Sequence, residues 1–341
     1  MVQQTHYMVS EHPFLVSLKS RAAQQVRRIA FPDATDVRTL EAAGTLVRER
    51  LATPLLIGSA QEIEALAVQH EYELEGIEIL EPASSIYTDE LANRLYERRK
   101  TKGLSIEQAR QHIMNPLYFA GMAVSAGIAD ASVGGSLSAT SDVLRAALHT
   151  IGTAEGITSI SSFFLMIAPA VQPDAVLAFA DCAVIPEPSA TQLVDIALAT
   201  AENYKALTHE TPRVALLSFS TNGSGGDNPS LLHVRDAAQT LRERYPELAC
   251  DGELQFDAAF VASVAARKAP QSPVAGKANV FIFPNLNAGN IGYKIAERLG
   301  QAQAVGPVVQ GLRKPYLDLS RGCTASDIVL CAAIASLMAA V

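Results

Sequence analysis

Residues 318 to 329 read DLSRGCTASDIV, and Ser320, Arg321, Cys323 and Asp327 fall within eight positions. A hydroxyl, a guanidinium, a thiol and a carboxylate at this spacing could bind an anion, stabilise an oxyanion and move a proton. A purely structural reading is simpler. Thr324-Ala-Ser-Asp327 ahead of the apolar run IVLCAAIASLMAAV has the form of a capping box, with Thr324 starting the last helix and Asp327 reaching back. The cap leaves Ser320-Arg321-Gly322 unexplained. Free N–H groups at a helix start attract anions. A guanidinium, a hydroxyl and a glycine in the preceding loop would complete a phosphate pocket. A capped helix can also hold an anion, so the two readings are compatible.

Four further clusters bear on chemistry. GGSLSATSDVLR (134–145) places small hydroxyl residues, Ser138 and Thr140 among them, between a strand and a helix. Arg145 follows about one turn into that helix; on an apolar face it would need an anion partner. The plain alternative is a serine-rich loop with Ser141 or Asp142 as N-cap. YERRKTKG (96–103) carries Arg99 at a basic helix end, where cations suit the dipole. STNGSGGDNP (220–229) follows a strand and could cradle phosphate or simply form a surface loop; it lacks both GK[ST] and GxGxxG. In NAGNIGYK (287–294) the glycines allow close approach of a ligand or of a neighbouring backbone. The seven histidines form no HxxxH or HExxH, and no GxSxG occurs, so no metal site and no nucleophile elbow are expected.

Short β-branched runs that alternate with helical ones must position these clusters. RRIAFPDA (27–34), ATPLLIGSA (52–60) and GIEILEP read as strands, and VRTLEAAGTLVRERL (37–51) and EIEALAVQH as the helices between them. DELANRLYERRKTKG (89–103) and NPLYFAGMAVSAGIAD (115–130) are helical, the second ending at a glycine. SISSFFLMIAP and AVLAFADCAV read as adjacent buried strands, ATQLVDIALATAENYKAL as a helix and RVALLSFST (213–221) as a strand. The alternation predicts an α/β fold with a largely parallel sheet. A second unit begins near Ile157, and the length of 341 residues favours two domains.

Composition narrows the function. The net charge of −8 and the absence of clustered Lys and Arg argue against nucleic acid as a partner. No apolar run reaches about 18 residues, so no membrane span is expected. The opening MVQQTHYMVSEHPF has no basic-then-apolar leader pattern. Cys182, Cys250, Cys323 and Cys331 form no CxxC pair, which fits reduced thiols in a cytosol-like compartment.

FADCAVIPEPSATQLVDIA, PRVALLSFSTNGSG, DGELQFDAAF, KAPQSPVAGKANVFIFPNLNAGNIGYKIAERLG and DLSRGC together resemble phosphate acetyltransferase (phosphotransacetylase) in its short form. The resemblance runs from FPDATDVRTL to the C-terminus. VSAGIADASVGGSLSATSDVLRAALHTIG and PNLNAGNIGYK look closest to the ethanolamine-utilization branch. The resemblance implies two α/β domains with the active site in the cleft between them, similar to isocitrate and isopropylmalate dehydrogenases. The first domain would comprise 1–155 with 306–341, and the second 156–305. It further implies a homodimer, a cytoplasmic location with packaging in a bacterial microcompartment as one variant, and coenzyme A as substrate with no tightly bound cofactor.

The implied reaction joins acetyl phosphate and coenzyme A to give acetyl-CoA and phosphate, reversibly, in a ternary complex without an acyl-enzyme. By motif, Asp327 is the base, Ser320 the oxyanion donor and Arg321 the phosphate ligand, with Arg145, Arg99, Ser138 and Thr140 also on phosphate. Arg99 could instead take the 3′-phosphate of coenzyme A. Asn290, Tyr293 and Lys314 are expected to bind coenzyme A. Asn285 and Ala288 replace the Asp and Thr common in the family, near the expected coenzyme A and acyl surroundings. A free thiol near pKa 8.5 and a free Asp near 3.9 differ by roughly 4–5 units, so burial or nearby arginines must close that gap. Two rival readings are a dehydrogenase of the same architecture, which would need a metal-binding aspartate cluster, and a non-catalytic scaffold. Propanoyl or butanoyl transfer is the rival within the class.

Overall fold

The computed structural model describes residues 11–169 and 173–340. The first ten residues, which open both the expected first domain and the leader reading, lie outside them. Eleven strands are present among the described residues: β1 Arg27–Phe31, β2 Ala52–Ile57, β3 Glu78–Leu80, β4 Ala131–Gly134, β5 Ser161–Ile167, β6 Val176–Ala180, β7 Val214–Leu217, β8 Cys250–Leu254, β9 Val280–Ile282, β10 Gln303–Gln310 and β11 Tyr316–Asp318. They form two sheets, ordered β11-β4-β1-β2-β3 and β10-β5-β6-β9-β7-β8.

Every pairing in the first sheet is parallel. Parallel neighbours require crossovers, and the helices Val37–Arg48 and Ala60–Gln69 supply them between β1, β2 and β3. Local sequence explains where the helices start. Asp36 accepts the Arg38 N–H at 3.0 Å, and Asn115 accepts the Leu117 N–H at 2.9 Å with Pro116 at the first helical position. The Pro116–Ala126 helix stops at Gly127, whose φ of 81° is the left-handed conformation that glycine adopts freely. Central strands are buried on both faces, which is why they read as continuous apolar runs rather than alternating ones.

In the second sheet β10, β5 and β6 are antiparallel neighbours, and β6, β9, β7 and β8 run parallel. Gln303–Gln310 pairs with β5 at both ends, on either side of Gly306-Pro307. The switch expected at 305/306 therefore falls inside a strand, and the chain rejoins the first sheet only at β11. Pairing with a distant edge sets that point, and no local signal in VGPVVQ announces it. Gly306-Pro307 sits at the irregularity between Val305 and Val308, where proline's missing N–H is tolerated.

The C-terminal helix Ala325–Met338 joins the two halves. Ile328 to Ser336 are all buried, and the helix packs on β4 and β10 as well as on the helices Val37–Arg48 and Ala190–Thr208. A helix apolar on all sides must be enclosed. Burying Ile328, Val329, Leu330 and Ile334 contributes on the order of 6–12 kcal/mol before entropy is counted.

Candidate active site

In the first sheet the order turns at β1: β2 and β3 lie on one side, β4 and β11 on the other. Ligands in open α/β sheets bind beyond the carboxyl ends of strands at such a switch. Three segments meet there: the loop after β1 with Asp33, the Gly135–Ser138 loop after β4, and the Leu319–Cys323 loop after β11. Asp33 accepts Gly135 N–H at 2.6 Å and the Ser138 hydroxyl at 2.6 Å, fixing the second loop to the first. Arg38 ties in the third. Its guanidinium donates to the Arg321 carbonyl at 2.9 Å, the Cys323 carbonyl at 2.7 Å and the Ser136 carbonyl at 3.0 Å, while Asp36 holds its other side. Burial opposes the ionised form of Asp36, but the Arg38 bonds outweigh it and hold the carboxyl below its usual range.

The cap reading of the 318–329 stretch holds. Thr324 caps the C-terminal helix by accepting the Asp327 N–H at 3.2 Å, and Asp327 Oδ2 accepts the Thr324 N–H at 2.8 Å and its hydroxyl at 2.9 Å. The same loop also lines a cleft of about 680 Å³. Its walls include Thr140, Asp318, Ser320, Arg321 and Asp327 from the first half, and Asn290, Tyr293, Lys294 and Arg298 from the second. Ser320 and Arg321 are exposed at its mouth. The Ser320 hydroxyl oxygen accepts Gly322 N–H at 3.2 Å, leaving its hydrogen free for a ligand. Cys323 is buried, and burial above all pushes its thiol up to about 11. It is not a nucleophile at neutral pH.

The opposite wall is the helix Leu286–Arg298. Leu286, Asn290, Tyr293, Lys294 and Glu297 share one face at helical spacing. Tyr293 stacks on Phe164 with centroids 4.1 Å apart, and the Asn290 amide donates to the Cys182 carbonyl at 3.0 Å. The glycines of NAGNIGYK serve a neighbouring backbone: a Cβ on Gly289 would lie 2.2 Å from the Asp181 carbonyl oxygen. Asn285 caps this helix by accepting the Ala288 N–H at 3.0 Å, a role asparagine fills as well as aspartate.

Several expectations need correction. Lys314 is not among the residues lining the cleft; its ammonium donates to the Val124 carbonyl at 2.8 Å, near a helix C-terminus that favours cations. Ser138 spends its hydroxyl on Asp33. The Thr140–Thr150 helix has Ala139 at its N-cap position, not Ser141 or Asp142. Arg145 is not buried: its side chain is 56% exposed and pairs with Asp142 at 2.7 Å. The 220–229 loop cradles a carboxylate of the protein itself, since Glu253 accepts Gly223 N–H at 3.1 Å and the Ser220 hydroxyl at 2.7 Å.

Arg99 belongs to a separate basic pocket of about 660 Å³ with Arg98, Lys102, His149 and Arg313. His149 accepts or donates a 2.9 Å bond with the Tyr118 hydroxyl. Its pKa is depressed to about 4, by burial first and then by Arg99, His112, Arg145 and Lys102. Arg99 and Arg145 thus act on one imidazole, although neither lines the main cleft. Sequence reasoning missed Arg38, Asp33, Lys294, Arg298 and Asp318. Lys294 and Arg298 had a signal, the four-residue spacing from Asn290; the others are brought in by the sheet order.

Among the described residues no group of three or more His, Cys, Asp and Glu gathers as metal ligands, and no helix is long and apolar enough to cross a membrane. The likeness in architecture to a 4-hydroxythreonine-4-phosphate dehydrogenase from Klebsiella pneumoniae shows shared fold alone, with TM-score 0.55 at 11% identity over 92% of this chain and 99% of the other. Phosphotransacetylases are far nearer. A structure from Streptococcus pyogenes has TM-score 0.91 at 41% identity, and the EutD phosphotransacetylase from Staphylococcus aureus 0.87 at 39%, each covering 96% of this chain and 98% of its own. The near-equal identities do not select a branch. A phosphate acetyltransferase from Acetivibrio thermocellus is 43% identical over 328 residues, 96% of this chain and 98% of its own length. The family model described as Phosphate acetyl/butaryl transferase matches residues 13–336. With that match across nearly all of its length, the chain belongs to the phosphate acetyl/butaryl transferase family.

Proposed function

We propose that the cleft transfers an acetyl group between acetyl phosphate and coenzyme A, reversibly and within a ternary complex. One observation carries this reading: Ser320, Arg321 and Asp327 converge at a helix N-terminus and face a wall bearing Asn290, Tyr293, Lys294 and Arg298. Arg321 and the helix N–H groups bind the phosphoryl oxygens. The thiolate sulfur of coenzyme A attacks the acyl carbon, and the Ser320 hydroxyl donates to the developing oxyanion. The bond from the acyl carbon to the phosphate oxygen then breaks. The thiol proton passes through Asp327 to the departing phosphate, so the step is balanced. Asp327 has a suitable atom for this, because it lines the cleft and the cap bonds fall on Oδ2 and not on Oδ1.

Lys294 and Arg298 receive the diphosphate of coenzyme A, and the Arg99–Lys102–Arg145 field its 3′-phosphate. The exposed apolar row Ile291, Ile295 and Leu299 supports a homodimer, read by light scattering after gel filtration. The domain division of this reading follows the sheets. Thioester formation from coenzyme A with acetyl, propanoyl or butanoyl phosphate tests the reaction. Fastest turnover with acetyl phosphate is expected; preference for butanoyl phosphate would reassign the acyl group, and no turnover by folded protein would end the proposal.

A further inference from the structure

We propose that Asp318 is a positioning residue which sets, through the Thr140 hydroxyl, whether the cleft offers its phosphoryl substrate a hydrogen-bond donor or an acceptor. The inference rests on the acyl-transfer reading and deepens it.

Asp318 ends β11 at the floor of the cleft, two residues before Ser320. It is 2% exposed, and its Oδ1 has no hydrogen-bond partner. Only two other buried side-chain polar atoms among the described residues share that condition, and one, Ser136 Oγ, belongs to the residue that follows Gly135. Gly135 lets the Asp318 carboxyl in: a Cβ there would lie 2.3 Å from Asp318 Oδ1. Asp33, across that loop, collects the donors instead, including two backbone N–H groups and the Ser138 hydroxyl. Two carboxyls so close do not ionise equally, and the one richer in donors keeps the charge.

The remaining neighbours do not supply a counter-charge. Tyr316 and Cys331 are buried, and burial pushes both up, so neither is charged near neutrality. Asp142 and Arg145 pair with each other on the Thr140 helix. Arg38 is committed to Asp36 and to three carbonyls, Arg321 lies exposed at the cleft mouth, and Asp327 adds only a further negative group beyond Cys331. Burial first, and Asp33 in addition, lift Asp318 to about 7, while the Thr140 hydroxyl and the Leu319 N–H favour its carboxylate.

Thr140 is the exposed member of the pair: it lines the same cleft as Asp318, and its hydroxyl is the side-chain donor that favours the Asp318 carboxylate. A protonated Asp318 donates to Thr140 Oγ1, so the threonine hydrogen points into the cleft and meets a phosphoryl oxygen. An ionised Asp318 draws that hydrogen back and leaves a lone pair facing the substrate. Acyl phosphate therefore binds better on the acid side of neutrality, by the worth of one hydrogen bond to a charged acceptor, about tenfold.

The test is the KM for acetyl phosphate between about pH 6 and about pH 8.5, with wild type, D318N, T140V and T140S. The substrate's own second ionisation lies below this range. Wild type and T140S should show KM rising about tenfold across neutrality. T140V should sit at the high value throughout, and D318N should lose the pH dependence. A flat wild-type profile, or a T140V profile with the same rise, overturns the relay. Infrared titration of the carboxyl band that D318N removes provides a reading independent of turnover. Titration near neutrality without any thioester formation would mean that the acyl-transfer reading had failed, and the relay with it. Thioester formation with no such band would sink the Asp318 assignment alone.

Discussion

Replacing Asp318 with asparagine removes one titrating group at nearly constant volume. The native carboxyl is lifted from 3.8 to about 7, chiefly by burial. A rise of about three units, at about 1.4 kcal/mol each, comes to roughly 4 kcal/mol. The unfolded chain releases this proton as pH passes about 4, whereas the folded protein holds it to about 7. Within that window the unfolded state binds fewer protons, so this group's stability is fully present below the unfolded pKa and lost as pH rises through the folded one. From about pH 5 to about pH 8 wild type should lose about 2–3 kcal/mol relative to the D318N protein. Urea unfolding followed by far-ultraviolet circular dichroism reads the difference; the absence of tryptophan rules out the usual fluorescence probe. A stability difference that stays constant over this range would refute the reasoning, because it would mean that Asp318 is ionised in the fold at every pH tested.

Other expected outcomes bear on separate parts of the site. Asp327→Asn should leave the melting temperature nearly unchanged and lower kcat by roughly 10²–10⁴, the range for loss of a positioned acid or base; near-normal turnover would reduce Asp327 to a cap. Thr324→Ala should destabilise the protein by about 1 kcal/mol in thermal unfolding, since one cap is lost; an unaltered melting curve contradicts the cap. Gly135→Ala should destabilise by several times that much or fail to fold, because φ is 107° and the new carbon would meet Asp318 and the Leu319 backbone; wild-type expression and stability would show that the loop has slack. Coenzyme A should raise the His149 pKa from about 4, as seen in its imidazole NMR titration, and dephospho-coenzyme A should not. Equal shifts with both ligands would remove the basic pocket from 3′-phosphate binding.

The strands, most of the helices and the capping box at Thr324 were legible from local pattern, because periodicity and caps are encoded within a few residues. So was the convergence of Ser320, Arg321 and Asp327, which sit on one contiguous stretch. The partners of those residues were not. Asp33 and the Gly135 loop are about a hundred positions apart, and only the order β11-β4-β1 makes them neighbours. The burial of Arg145 was misjudged because Asp142, three residues earlier, gives it a local partner at the surface. The glycine-rich 220–229 loop resembled a phosphate cradle, and its backbone does hold an anion, but the anion is Glu253, already neutralised by Arg235. Nothing local in the loop distinguishes a carboxylate of the chain from one supplied by a ligand.

The C-terminal helix offers its first turn to the cleft and sinks the rest into the junction of both sheets. Functional segments usually come from the loosest parts of a protein and open before the whole does. Here the cleft-lining end is continuous with one of the most deeply buried segments, so its amides should be among the last to exchange with deuterium. Heat inactivation should then coincide with global melting rather than precede it, and substitutions that strengthen the core far from the cleft should raise the temperature at which activity is lost by the same number of degrees.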